Sequence, residues 1–167
     1  MAMDEFSLDD VLLMKFEKNE LEEYSVRKGD LIICEGGYPG RAAIWNSDDE
    51  SYKFQKALHR VRFSGNISSK FYLHYLYLIC STGKIKDYFT GSGIQHLTGK
   101  SLKQMPVPLP PLSEQIRIVA EIEKQMAKTK QIKEHIIANQ QATEQLLKAL
   151  LHGAFEVEES PDPVGKV

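Results

Sequence analysis

The chain has 167 residues, 42% of them hydrophobic, and a formal net charge of −2; that is enough apolar content for a real core and excludes wholesale disorder. It has no apolar run near membrane-spanning length and no charged-then-apolar leader, so a cytoplasmic protein with no membrane partner is expected. Cys34 and Cys80 sit in Ile-Ile-Cys and Leu-Ile-Cys without a CxxC or a paired histidine; they read as buried thiols, with no metal site.

The distribution of charge says more than its sum. Residues 1–23 carry two Lys against eight acids, residues 24–111 twelve Lys or Arg against six, residues 112–153 six against five, and residues 154–167 one against four. Acid is concentrated at the ends. The middle block is basic, as a phosphate-binding surface requires and as many ordinary solvated faces also are.

Ser7-Leu-Asp-Asp10 resembles a capping box, and Val11, Leu12, Met14, Phe16 and Leu21 predict one or two short amphipathic helices. Arg27 to Asp30 reads as a turn and Leu31 to Cys34 as a buried strand. Glu35-Gly-Gly-Tyr-Pro-Gly40 follows, a tight loop whose backbone can approach another molecule closely. A returning strand over Arg41 to Trp45 makes a plain hairpin the alternative reading. The loop is not a phosphate loop, because it lacks the Gly-Lys-Ser/Thr ending and a following helix.

Ala57 to Phe63 alternates as a half-exposed strand, with Ala57, His59, Val61 and Phe63 on one face and Leu58, Arg60 and Arg62 on the other. No carboxylate or nucleophile stands at a recognisable spacing from His59, which reads as a satisfied, semi-buried histidine. Ser68 is placed to cap a helix running to about Ser81, apolar on nearly every side and so expected to be buried. Thr90 to Gly99 forms a second glycine-rich loop. It lacks the third glycine of a dinucleotide site, and its Ser92, Gln95 and His96 suit base edges or phosphates. Met105-Pro-Val-Pro-Leu-Pro110 predicts an edge strand that its prolines keep from being extended.

Pro110 and Pro111 end that segment, and Ser113 is placed to cap a long helix with Glu114 at its positive end. Apolar or small residues then recur in steps of three and four: Val119, Ile122, Met126, Thr129, Ile136, Thr143, Leu147 and Leu150, with Lys133 and Gln140 in the remaining slots. Gly153 suits the left-handed position after the last turn. At about 1.5 Å per residue the helix would span on the order of 60 Å, more than a small core needs, so it is expected to project and to pair through its seam. Pairing with a second copy gives a homodimer; packing back on its own domain is the alternative. The fold class expected is α+β, with a small mixed domain over residues 1–111, a coiled-coil helix over 112–153 and a flexible acidic tail over 154–167.

Taken together and in this order, Lys28-Gly-Asp-Leu-Ile-Ile-Cys-Glu-Gly-Gly-Tyr-Pro-Gly-Arg41, Gly91-Ser-Gly-Ile-Gln-His-Leu-Thr-Gly99 and Pro106-Val-Pro-Leu-Pro-Pro-Leu-Ser-Glu-Gln-Ile-Arg-Ile-Val119 resemble type I restriction-modification specificity subunits over about residues 24–153. The resemblance implies a target recognition domain that reads half of a split duplex DNA sequence. It also implies a helix that pairs antiparallel with its counterpart and docks methyltransferase subunits, and through them the restriction subunit. Such a chain is itself non-catalytic and holds no cofactor; S-adenosylmethionine and ATP with magnesium belong to the partner subunits. Family chains usually carry two recognition domains and two helices. With one helix and much of the first part of a recognition domain missing, a partial or half-subunit is expected. Candidate DNA contacts are Tyr38, Arg41, Ser92, Gln95 and His96 in the loops, with Lys53, Lys56, Arg60, Arg62 and Lys100 nearby in sequence. The competing reading is a DNA-inactive dimerisation or interaction module. An enzyme is the poorest reading, since Pro110-Pro111 lies between Leu109 and Leu112 and not in the Asn/Asp-Pro-Pro-aromatic motif of an amino-methyltransferase.

Overall fold

The structure is a computed structural model that describes residues 6–155; of the tail expected over 154–167, Ala154 and Phe155 are helical and residues from 156 onward lie outside the described residues. The fold is α+β: a small antiparallel sheet with helices, then one long C-terminal helix. Residues up to Glu121 and residues from Ile122 onward form two compact units.

Strands β1 (Leu31–Cys34), β2 (Ala42–Ile44) and β3 (Leu58–Val61) pair in the order β2-β1-β3, both pairings antiparallel. The register sets Ile32 opposite Ala43 on one side and Arg60 on the other. Because side chains alternate along a strand, each residue falls to one of two faces. Leu31, Ile33 and Ala42 join a core with Tyr72, Leu73, Leu76, Ile79, Ile85, Leu97 and Met105. On the opposite face Ile32 packs with Val26 and Trp45, and Leu58 covers that smaller cluster.

The first helix, α1 (Glu20–Glu23), is a single turn, and residues 11–17 form no helix at all. The amphipathic helix expected there has no core to bury its stripe in: Leu12 and Leu13 are 80% and 100% exposed. Without such burial, a short helix in water does not hold. Helix α2 (Ser69–Ser81) starts where expected, the Ser68 side chain accepting from the Phe71 amide. It is buried on one face only, for Tyr77 and Leu78 are exposed. A 3-10 turn over Lys84–Tyr88 and helix α3 (Gly99–Gln104) follow.

Residues 105–111 form no strand. The alternating prolines remove the donors a ladder needs, and side chains hold the segment instead: Met105 is buried, and the Tyr75 hydroxyl donates to the Pro106 carbonyl at 2.7 Å. Helix α4 runs from Leu112 to Phe155. Ser113 therefore lies inside the first turn and does not cap it; the Pro111 carbonyl accepts from the Glu114 and Gln115 amides. The helix thus starts two residues before a Ser113 cap would place it. At the far end Gly153 stays helical, with no positive φ.

Candidate nucleic-acid interface

The sheet carries the two glycine-rich loops on a shared base. The first, residues 35–40, is the β1–β2 hairpin loop, closed by the Gly40 amide donating to the Cys34 carbonyl at 3.0 Å and the Cys34 amide to the Arg41 carbonyl at 2.8 Å. Gly40 has φ +87°, and a Cβ there would collide with Ile85 Cδ1 and touch Cys80 Sγ, so only glycine lets this loop sit down on the core. The second loop is closed by Thr90 and His96, whose amides and carbonyls exchange two 2.9 Å hydrogen bonds.

The Leu97 amide donates to the Glu35 carbonyl at 2.8 Å, which joins the two loops. A Cβ on Gly36 would stand 3.2 Å from His96 Nδ1, so this glycine is what allows the close approach. His59 completes the base from β3: its Nε2 lies 2.7 Å from the Leu97 carbonyl and 3.3 Å from a Glu35 carboxylate oxygen. A carbonyl only accepts, so Nε2 carries the proton. The sequence offered no carboxylate for His59 because Glu35 reaches it only across the β1–β3 register. What remains outside this base is open, and polar apart from Ile94. Tyr38 is 70% exposed and Ile94 75% exposed, while Arg41, Ser92 and Gln95 are exposed and His96 is half-buried.

The other candidates divide differently. Lys53 Nζ is turned onto its own loop, donating to the Tyr52 carbonyl at 3.2 Å. Arg60 Nη1 donates to the Ser25 carbonyl, and its guanidinium lies 5.5 Å from the Phe54 ring centre. Arg62 makes a bidentate pair with Asp30, both bonds 2.7 Å. Burial alone would push the Asp30 carboxyl up. The Arg62 bonds, the Arg27 amide at 2.8 Å and the charges of Arg62 and Arg60 hold it below its ordinary value. Lys56 is 3.7 Å from Glu20 and largely exposed, and Lys100 is exposed in α3. Lys56, Arg60 and Arg62 line an open cleft together with Lys103, which the sequence did not single out.

Both thiols are free and half-buried. Burial raises Cys34 despite the nearby Arg41 charge, and it pushes Cys80 up to about 11. Among the described residues no three His, Cys, Asp or Glu side chains are grouped to hold a metal ion, and no described helix is long and apolar enough to cross a membrane.

Along α4 the expected seam begins inside the globular unit. Val119 is buried and Ile122 half-buried, whereas Met126, Thr129, Ile136, Thr143, Leu147 and Leu150 are exposed. Gln115, which the sequence left without a role, is 1% exposed. Its Nε2 donates to the Asn66 carbonyl at 3.0 Å and the Pro110 carbonyl at 2.8 Å, and its Oε1 accepts from the Ser68 amide at 2.9 Å. One side chain thus ties the start of α4 to the start of α2.

A small antiparallel sheet that presents two joined glycine-rich loops and runs on into a long helix is the architecture of a target-recognition-type domain. A chain in a solved structure concerning complex assembly and conformational transition of the type I R-M system shares it, with TM-score 0.64 and 25% sequence identity, over 80% of this chain and 32% of that one. Residues 8–140 match the model of the type I restriction modification DNA specificity domain, and the chain belongs to that family. A Haemophilus influenzae protein named as type I restriction enzyme specificity subunit S.HindORF215P is 30% identical over 104 residues, covering 62% of this chain. The present chain spans 26% of that relative's length.

Proposed function

We propose that this chain is a sequence-specificity component of a type I restriction-modification system. It is non-catalytic, binds duplex DNA through the loop pair, and joins copies of itself and methyltransferase subunits through α4. The observation that carries the DNA reading is the shared base formed by Glu35, Gly36, His59, His96 and Leu97, which holds two exposed loop tips together. Tyr38, Ser92, Gln95 and His96 offer donors and acceptors suited to base edges, and Arg41, Lys56 and Lys100 offer phosphate contacts. Lys53, Arg60 and Arg62 would first have to exchange the internal bonds they make.

The helix supports the assembly reading. A two-stranded seam uses two positions per heptad, flanked by charged residues. Here Ile132 and Leu146 lie beside the seam on one side and Ile137 and Leu151 on the other, all exposed. An apolar face that wide suits a bundle in which further helices pack against an antiparallel pair. The methyltransferase subunits supply those helices and carry the S-adenosylmethionine; the restriction subunit joins through them with ATP and magnesium.

A second reading, an interaction module that does not read DNA, is favoured by the carboxylates interleaved with the cations: Glu20 beside Lys56, and Glu23 in the cleft. Fluorescence anisotropy with mixed-sequence duplex separates the two. On the first reading Arg41→Ala weakens binding and flattens the slope of log K against log salt by about one ion. A full chain that never shifts the duplex, even at low salt, establishes the second.

A further inference from the structure

The outer edge of β3 carries no strand among the described residues, and it lies along an open cleft of about 620 Å³. The register decides which groups that edge presents. The Glu35 amide donates to the Ala57 carbonyl at 3.0 Å, so Ile33 with His59 and Leu31 with Val61 are the hydrogen-bonded pairs. The backbone groups of Leu58, Arg60 and Arg62 therefore point away from β1. The Leu58 amide is met by the Gln55 carbonyl, which leaves the Arg60 amide and carbonyl facing outward.

Both faces of the sheet contribute walls to this cleft. Phe54, with the Tyr24 ring edge-on against it at 5.3 Å, comes from the side of the smaller cluster, and Tyr72 and Leu102 from the side of the main core. Lys56, Arg60, Arg62 and Lys103 line it as well, with Glu23 the one carboxylate among the lining residues; behind them Asp30 pairs with Arg62 and Glu20 stands 3.7 Å from Lys56, which leaves Arg60 and Lys103 as the cations without a carboxylate bonded to them among the described residues.

We propose that this cleft receives an extended acidic polypeptide segment, which adds to β3 as a further strand. The Arg60 amide and carbonyl would join its backbone, and its alternate side chains would fall against the two aromatic walls. The cations choose its charge. They also argue against a second copy of β3, because antiparallel self-pairing about Arg60 would set Arg60 against Arg60, and like charges directly opposite destabilise a pair. A duplex could meet the cations with phosphates but would leave the Arg60 backbone groups unpaired. The inference concerns the β3 edge and does not depend on the loops reading DNA.

The test uses the full chain and short synthetic peptides: one alternating glutamate with valine, the same with lysine for glutamate, and the glutamate peptide N-methylated along one edge. Affinity and hydrogen exchange at the Arg60 amide are read together. The glutamate peptide is expected to bind and to slow Arg60 exchange, the lysine peptide to fail, and N-methylation on the pairing edge to weaken binding about tenfold. Lys103→Glu, at an exposed position that leaves the fold intact, should weaken the glutamate peptide severalfold. Absence of binding, binding that leaves Arg60 exchange unchanged, indifference to N-methylation on either edge, or protection of the Arg60 amide by mixed-sequence duplex but not by peptide would each overturn the proposal.

Discussion

Replacing Gln115 with alanine removes the side chain that anchors the first turn of α4. Three partners lose a hydrogen bond: the Ser68 amide at the N-cap of α2, the Asn66 carbonyl and the Pro110 carbonyl. At about 1 kcal/mol for each bond, with a further increment for the space left by a fully buried side chain, Gln115→Ala should cost about 3–4 kcal/mol. Against the roughly 5–15 kcal/mol of a typical domain, that is a large share. The assay is urea denaturation followed by fluorescence of Trp45, the one tryptophan of the chain, which is 5% exposed in the smaller cluster. The midpoint should fall with the slope unchanged. Gln115→Glu sharpens the test, since at neutral pH a carboxylate would face two carbonyls, and acid should return part of the loss by restoring one donor. A Gln115→Ala shift below about 1 kcal/mol would refute the reasoning, because it would mean that water or relaxation satisfies all three groups.

Asp30→Asn should destabilise the globular unit by about 2–3 kcal/mol at neutral pH, less than a fully buried pair because Arg62 is partly exposed. The Asp30 carboxyl is held below its ordinary 3.8, so its contribution is present above that value and lost as pH falls through the folded value; wild type and variant should converge in acid unfolding. Gly40→Ala combines a positive φ with a collision against the Ile85 side chain and should cost about 2–4 kcal/mol. Gly65→Ala, at φ +75° with open space around it, should cost only about 1 kcal/mol, and the two are compared by thermal melts. Leu150→Lys places a charge in the proposed seam and should shift sedimentation toward the single chain while leaving the Trp45 unfolding midpoint unchanged.

The strands were legible because each is short, alternates or is uniformly apolar, and is bounded by glycine or charged turns. Leu31 to Cys34 appears as written, and α2 begins at the serine that its hydroxyl chemistry singles out. What could not be read was long-range. His59 acquires Glu35 only across a strand register, Arg62 finds Asp30 through the same pairing, and Gln115 looks like any helix-surface glutamine until the loop at Asn66 closes over it. The segment over residues 11–17 misled because an apolar pattern does not state whether there is anything to pack against. The alternating prolines of residues 106–110 misled for a related reason. Their spacing suggests the silent side of a ladder, but the segment is held by Met105 and by the Tyr75 hydroxyl with no ladder at all.

The proposal that the loop pair reads DNA is tested most directly by sequencing the duplexes that the full chain retains from a randomised pool at low salt. The proposed function predicts enrichment of defined base pairs, arranged as inverted half-sites at constant spacing if two copies join through α4. A retained pool with the composition of the input would contradict it.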